Sequence, residues 1–473
     1  MTRTWHSLGG AVTAALATVT CFGHASAVWI PQYLDPRSAG GQYSASTTAV
    51  SSTAWISPGA GTSTESAPVP ASPTSTSTTG SSTSNSTLDG KYVASAWYPS
   101  WLASTHPPES LPWDKYNMMT FSFATTTSGS TLLSLDSESQ ALLPKFVQLA
   151  KKNNVKALVS IGGWGGSQYF STDMATGESR SAFVKAVVDL ATKYDLDGID
   201  FDWEFPGKQS IGCNVVSPSD TANYLLFLQE LRKDPVGAKL ILTAAVGLTP
   251  WVGQDGTTPV TDVSGFGKVF DFIAIMAYDV WGSWSTSVGP NAPLYDACAS
   301  TKDGSAESAV AAWSGAGFPV NKIVLGLPAY ARSYHVEASN ALSGGKLDLY
   351  PPFDKAQQPL GEGEKQGQLT ADQCGTESGP SGIFNFNGLV TAGFLNAKGA
   401  VASGVDYKFD DCSKTAFAYD KSKSVMISYD DAATFAAKGQ FIVEKGLKGF
   451  SMWHAVGDSN NVLLDAVNSA LSH

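Results

Sequence analysis

The chain has 473 residues, of which 43% are hydrophobic and 15% charged, with a formal net charge of −11 at neutral pH. That length exceeds one ordinary compact domain, so one large domain with appendages, or two domains, is expected. The acidic balance argues against nucleic acid or an anionic membrane as partner, and no stretch beyond the N-terminus is long and apolar enough to span a bilayer.

Residues 1–27 combine a basic start at Arg3, an apolar small-residue stretch from Ala11 to Phe22, and the small-residue site Ala25-Ser26-Ala27. This pattern reads as a secretory signal peptide, so the mature protein is expected to be secreted and extracellular. A transmembrane helix would need roughly 20 apolar residues, whereas Thr13, Thr18 and Thr20 interrupt this run. Residues 28–89 follow a different composition. Between positions 44 and 89, 25 of 46 residues are Ser or Thr, which cannot build a core and predicts a disordered, O-glycosylated linker. Asn85-Ser86-Thr87 within it is an N-glycosylation sequon.

Of five cysteines, Cys21 leaves with the signal peptide. Cys213, Cys298, Cys374 and Cys412 remain, an even number in an oxidising compartment, and predict two disulfides. The histidines are scattered and no cysteines are closely paired, so neither a metal site nor a cofactor is expected.

From residue 91 onward, short β-rich runs alternate with helical segments. The runs are 91–98, 116–123, 155–161, 197–204, 239–246, 272–278, 322–328 and 448–453. Helix-like stretches at 139–153, 179–194, 220–233, 307–314 and 432–444 fall between several of them. Eightfold alternation predicts an α/β fold, a parallel (β/α)8 barrel over 91–473, although a doubly wound open sheet shares the pattern. Roughly 120 residues separate the last two strands, far more than one crossover helix needs. A small α+β insertion is therefore expected at about 333–424, between strands seven and eight, and it contains Cys374 and Cys412.

The segment DLDGIDFDWEFPG at 195–207 carries the strongest chemical signal. Side chains alternate on a strand, so Asp200, Asp202 and Glu204 share one face while Ile199, Phe201 and Trp203 share the other. In a barrel the acids would climb the interior towards the C-terminal rim, where active sites of this architecture lie. Three like charges in a confined space raise at least one pKa. Glu204, nearest the rim, is the candidate general acid, with Asp202 beside it and Asp200 behind. The alternative, a calcium site, would ordinarily use a flexible oxygen-rich loop rather than an apolar strand.

These four acids, Asp197, Asp200, Asp202 and Glu204, match DxxDxDxE, and here the sequence resembles glycoside hydrolase family 18. Ser160-Ile161-Gly162-Gly163 resembles the family's SxGG motif and is followed by Trp164; Met276-Ala277-Tyr278-Asp279 resembles its MxYD. The resemblance implies a TIM barrel and a chitinase acting on chitin and chitooligosaccharides. It further implies that Tyr278 holds the substrate's acetamido carbonyl, that Asp279 contacts the sugar and that Met276 lines the pocket. Trp284 resembles the family's platform on the leaving-group side, and Trp453 the tryptophan that floors the catalytic subsite. GLPAYARSY at 326–334 is similar to the family's GxPxYGR, with Tyr330 and Arg332 as cleft residues and Ala331 in place of the usual glycine. Tyr98 and Phe123 are also expected to line the cleft.

In the family the substrate's own N-acetyl oxygen is the nucleophile, giving retention without a second, opposed carboxylate. An endo-β-N-acetylglucosaminidase acting on N-glycans and a non-catalytic chitin-binding lectin are the alternatives on the same scaffold. A monomer is expected. The placement of the cysteines, two inside the insertion and two in loops after strands four and six, pairs Cys213 with Cys298 and Cys374 with Cys412, one of three possible connectivities.

Overall fold

The computed structural model describes residues 92–299 and 301–472. The expected signal peptide, the linker and Asn85 lie outside the described residues. Seven barrel strands come first in chain order: β1 (Val93–Pro99), β2 (Met118–Thr126), β3 (Lys156–Gly162), β4 (Gly198–Asp202), β5 (Ile241–Val246), β6 (Phe272–Ile275) and β7 (Ile323–Pro328). The chain then builds a second sheet from β8 (Tyr330–His335), β9 (Ile383–Asn385), β10 (Val405–Asp410), β11 (Thr415–Asp420) and β12 (Val425–Tyr429). It returns to the first sheet as β13 (Gly449–Trp453).

Each of β1 to β6 pairs in parallel with the next, β7 pairs with β13, and β13 pairs with β1. The sheet therefore closes into an eight-stranded parallel barrel, as the alternating pattern predicts, and the open-sheet alternative is excluded. The main surrounding helices are α1 (Ser137–Lys152), α2 (Gly177–Tyr194), α3 (Asp220–Leu231), α4 (Ser264–Val269), α5 (Ala306–Gly315), α6 (Ala432–Lys445) and α7 (Val462–Leu471). Their starts are written in the sequence. Asp136 accepts the Ser139 amide at 2.8 Å ahead of α1, and Thr176/Ser179, Ser305/Ser308 and Asp431/Thr434 form reciprocal caps on α2, α5 and α6. Such caps satisfy amides that the first turn leaves unbonded.

Strand alternation divides the core in two. Ile199, Phe201 and Trp203 point outward into the layer beneath the helices, where Phe201 meets Phe227 of α3 at 5.6 Å and Trp203 stacks on Phe170 at 5.1 Å between centroids. Residues between them on the same strand face the barrel interior, where a smaller apolar cluster holds Trp97, Ala245, Met276 and Tyr278. The second sheet is antiparallel in the order β9-β8-β12-β11-β10. It takes in Tyr330–His335 and Val425–Tyr429, strands that flank the 333–424 segment.

The disulfides differ from the expected pairing: Cys213 is bonded to Cys374, and Cys298 to Cys412. The two cysteines inside the inserted segment lie at different ends of it. Cys374 sits in the turn of a hairpin that pairs Thr370–Ala371 with Glu377–Ser378. Cys412 occupies the β10–β11 turn, which docks on the loop after β6 through a Leu294 amide to Ser413 carbonyl bond of 2.8 Å. Each therefore meets a barrel loop rather than the other. Closing loops of 161 and 114 residues, the two bonds restrict the unfolded chain by on the order of 4–5 kcal/mol each in the chain-entropy model. Peptide mapping without reduction is expected to recover Cys213 joined to Cys374 and Cys298 joined to Cys412.

The end of β3 shows how closely the strands approach near the rim. Gly162 has a φ of 110°, and a Cβ built on it would lie 2.2 Å from the Asp202 carbonyl oxygen. Gly163, with a φ of 79°, would drive a Cβ to 2.9 Å from the Phe123 ring. The paired glycines are thus required by backbone conformation and by contact. Gly162→Ala is expected to cost on the order of 2–4 kcal/mol through strain and forced separation of β3 from β4, read as a lowered thermal midpoint.

Candidate active site

Register assembles the deepest layer of the site. Ser160 on β3 pairs with Asp200 on β4, and Asp200 pairs with Thr243 on β5. Paired residues of adjacent parallel strands share a face, so the two hydroxyls flank the carboxylate. Ser160 Oγ donates to Asp200 Oδ2 at 2.8 Å and Thr243 Oγ1 to Oδ1 at 2.5 Å. Trp97 Nε1, from β1, donates to Oδ2 at 3.0 Å. Burial pushes the Asp200 carboxyl above its ordinary pKa, and these three donors oppose that rise.

One level higher the surroundings change. Asp202 pairs with Gly162, which has no side chain to offer, and Ala245 lies on the other flank of the pocket. Asp202 Oδ1 receives no hydrogen bond from the protein. Burial, then repulsion from Asp200, holds this carboxyl well above its usual range. Glu204, 1% exposed, follows the strand end. Its backbone is clamped: the amide donates to Ser167 Oγ at 3.1 Å, while Asn214 Nδ2 at 2.9 Å and the Ser210 hydroxyl donate to its carbonyl. Its side chain is not held in this way, and Oε2 has no protein partner. Burial, followed by the charges of Asp202 and Asp279, raises the Glu204 pKa strongly. A carboxyl group with a raised affinity for its proton, fixed at the backbone and unpartnered at Oε2, is suited to donating that proton.

The pocket over these acids is lined by Trp97, Phe123, Trp164, Ala245, Met276, Tyr278 and Trp453. Trp453 ends β13, with its ring 5.8 Å from Phe123 and 6.1 Å from Trp97. Tyr278 is buried, and burial with the surrounding carboxylates keeps its hydroxyl protonated far into the alkaline range, so it remains a donor. Tyr330 packs edge-on against it at 5.9 Å. Asp279 bonds the Arg332 guanidinium through Nε at 2.7 Å and through Nη2. That guanidinium lies 4.5 Å over the Trp284 ring, a cation on an aromatic face.

The structure thus brings Asp202, Glu204, Met276, Tyr278, Phe123, Trp164 and Trp453 to one pocket, with Asp200 bonded beneath it and Asp279, Tyr330, Arg332 and Trp284 in an adjoining cluster. Tyr98 is a correction. It is fully buried beneath the helices, its ring stacks on Phe146 of α1 at 5.6 Å and its hydroxyl donates to the His106 carbonyl at 2.8 Å. Alternation along β1 turns Tyr98 outward and its neighbour Trp97 inward, so Trp97 is the cleft residue of that pair. Ala331, in place of the family's glycine, is an ordinary fully buried strand residue paired with Phe384. Sequence reading also missed Thr243, Ser167 and Asn214. The pairing of β4 with β5 would have found Thr243, but no local signal marks the other two.

Beside the acid pocket runs a groove of about 830 Å³ that shares Phe123 and Trp164 with it. Trp101, stacked on Phe123 at 6.0 Å, lines the barrel side, and residues between 360 and 380 line the other. Among the described residues, no group of three or more His, Cys, Asp or Glu side chains has an arrangement able to hold a metal ion.

A model of the family described as glycosyl hydrolases family 18 matches residues 93–458. The chain is similar to a chitinase-like effector of Moniliophthora roreri, with 48% identity over 385 residues, 80% of this chain and 92% of that protein. It is 32% identical over 331 residues to chitinase A1 of Niallia circulans, covering 67% of this chain and 43% of that one. Among solved structures, a chitinase from Rhizomucor miehei matches with a TM-score of 0.72 and 33% identity, over 80% of this chain and 100% of that chain. The family match, the closed barrel and the acidic column on β4 agree, and this chain belongs to glycosyl hydrolases family 18.

Proposed function

We propose that this chain hydrolyses β-1,4-linked N-acetylglucosamine polymers and oligomers, with Glu204 as the general acid and then the base. The observation that carries this reading is the Glu204 carboxyl: buried, strongly raised in pKa, and free of protein partners at Oε2 inside an aromatic-walled pocket. Tryptophan faces stack well on the apolar faces of sugars, which fits Trp453 as the floor of the catalytic subsite. An apolar pocket floor with few polar groups is also the usual form of a site that orients a neutral ligand.

The mechanism follows from where the carboxylates stand. Asp202 and Glu204 are the two that line the pocket, and both come from the same strand end. Ordinary glycosidases place two carboxyl groups on opposite sides of the scissile bond. With both on one side, the internal nucleophile is the substrate's acetamido oxygen, which attacks the anomeric carbon as Glu204 protonates the leaving oxygen. Asp202 orients and stabilises the acetamido N–H, for which its unpartnered Oδ1 is available, and the Tyr278 hydroxyl donates to the carbonyl side. Glu204 then takes a proton from the incoming water, and net retention results. Two disulfides and the N-terminal leader pattern support a secreted enzyme.

Carbohydrate binding without turnover is a second reading, favoured by the name of the Moniliophthora relative. The two differ in whether a proton reaches the glycosidic oxygen. Glu204→Gln keeps the shape and removes the transferable proton, so hydrolysis of an N-acetylglucosamine hexamer is expected to fall by about 10² to 10⁴ while binding survives. Wild-type protein that binds the hexamer and leaves it intact would establish the second reading. A first product of inverted anomeric configuration would sink the mechanism.

The pH dependence has a defined sign. Glu204 must be protonated to act, and its pKa is raised above the ordinary carboxylate range; turnover is therefore expected to decline as pH rises through that elevated pKa. Repulsion from Asp202 contributes to the elevation. Asp202→Asn removes that repulsion, so the alkaline limb should move to lower pH, besides a loss in rate. The two carboxyls interact, so the limb reports the pair rather than one residue. An alkaline limb that stays in place in Asp202→Asn would separate the two groups.

A further inference from the structure

The groove beside the acid pocket has one wall from the barrel loops after β2 and β3 and another from the chain between β8 and β9. The second wall carries the hairpin in which Thr370–Ala371 pairs with Glu377–Ser378. Its turn is self-supporting. The Asp372 carboxylate accepts the amides of Cys374 and Thr376 at 2.8 and 2.9 Å, and Gly375 supplies a φ of 77°. At the base, the Glu364 carboxylate accepts the amides of Gly361 and Ser381 at 2.6 and 3.0 Å.

At its tip the hairpin meets the barrel. The Gln373 carboxamide lies against Gly165 so closely that a Cβ there would stand 2.4 Å from its Cδ. The next residue, Cys374, is covalently bonded to Cys213 on the loop after β4. Gly165, Gln168 and Gln373 all line the groove, and Gln168 Nε2 donates to Cys213 Sγ at 3.2 Å. The junction between the walls therefore lies at the groove itself, not behind it.

We propose that the Cys213–Cys374 bond makes this hairpin a strap across the groove and the determinant of how a polymer enters: by its end, not sideways along its length. An open cleft accepts a long chain laterally, whereas walls in contact at Gly165 and Gln373 and cross-linked beside that contact do not. The loops after β2 and β3 stand across the barrel from β6, whose following loop carries Trp284. Taking Trp284 as the leaving-group side, the strapped groove receives the non-reducing end of the sugar chain. The proposal rests on the chitin-directed reading above, but not on turnover.

Binding tests it without hydrolysis. Glu204→Gln protein with both disulfides intact is titrated with N-acetylglucosamine hexamer that is free, capped by a bulky fluorophore at the non-reducing end, or capped at the reducing end. The non-reducing cap is expected to weaken binding by about tenfold or more and the reducing cap by no more than about twofold. Adding Cys374→Ser, or separately Cys213→Ser, should return the non-reducing-capped hexamer to within about twofold of the free one. Equal binding of all three ligands by the cross-linked protein overturns the strap, as does discrimination that persists in both cysteine variants. The comparison in the cross-linked protein decides even where a cysteine variant fails to fold. Failure of the free hexamer to bind overturns the chitin-directed reading as well, so the two failures are told apart by the uncapped arm.

Discussion

Three carboxyl groups stand in one column on the inner face of one buried strand, and the rest of the site follows from how that arrangement is kept tolerable. Isolated buried carboxylates are expensive, and the usual resolution is to pair them, bond them or protonate them. Here the column divides the work by depth. Asp200 takes three donors from three different strands. Asp202 and Glu204 receive no such set, and their affinity for protons rises. Proton affinity therefore rises where donors run out, from Asp200 at the base of the column to Asp202 and Glu204 at the pocket.

Holding that gradient requires backbone rigidity around side chains left unengaged. Ser167 Oγ accepts the Glu204 amide and lies 2.9 Å from the Asp202 carbonyl, while Asn214 secures the Glu204 carbonyl. The main chain on both sides of the acid is thus fixed by groups that never touch the carboxyl. Preorganisation of this kind leaves the reactive atoms free for substrate while removing the freedom that would blunt their effect.

Much of this was legible in the sequence. Period-two alternation over Ile199 to Glu204 separates core from acids without reference to any other element, and all eight barrel strands stand out as short β-rich runs. What stayed hidden depends on contacts between segments far apart in the chain. Tyr98 and Trp97 are adjacent aromatic residues, and only the orientation of β1 in the closed barrel says which of them faces inward. Thr243 becomes an acid's partner only through the β4–β5 register. The disulfide pairing failed for a related reason: residence in the same inserted segment says little about distance when that segment is a sheet with a hairpin at one end and a tight turn at the other.

Only Ala329 separates the end of the barrel strand β7 from the first strand of the second sheet, so Tyr330 and Arg332 belong both to that strand and to the site. Arg332 pairs with Asp279 and, through the Ser428 and Ile383 positions, lies between β12 and β9 in the sheet. The groove wall is therefore not a detachable module. Any exchange of walls between related barrels, whether by recombination or by design, has to splice beyond Arg332, since a cut at the strand boundary would leave Asp279, a largely enclosed carboxylate, without its counter-ion.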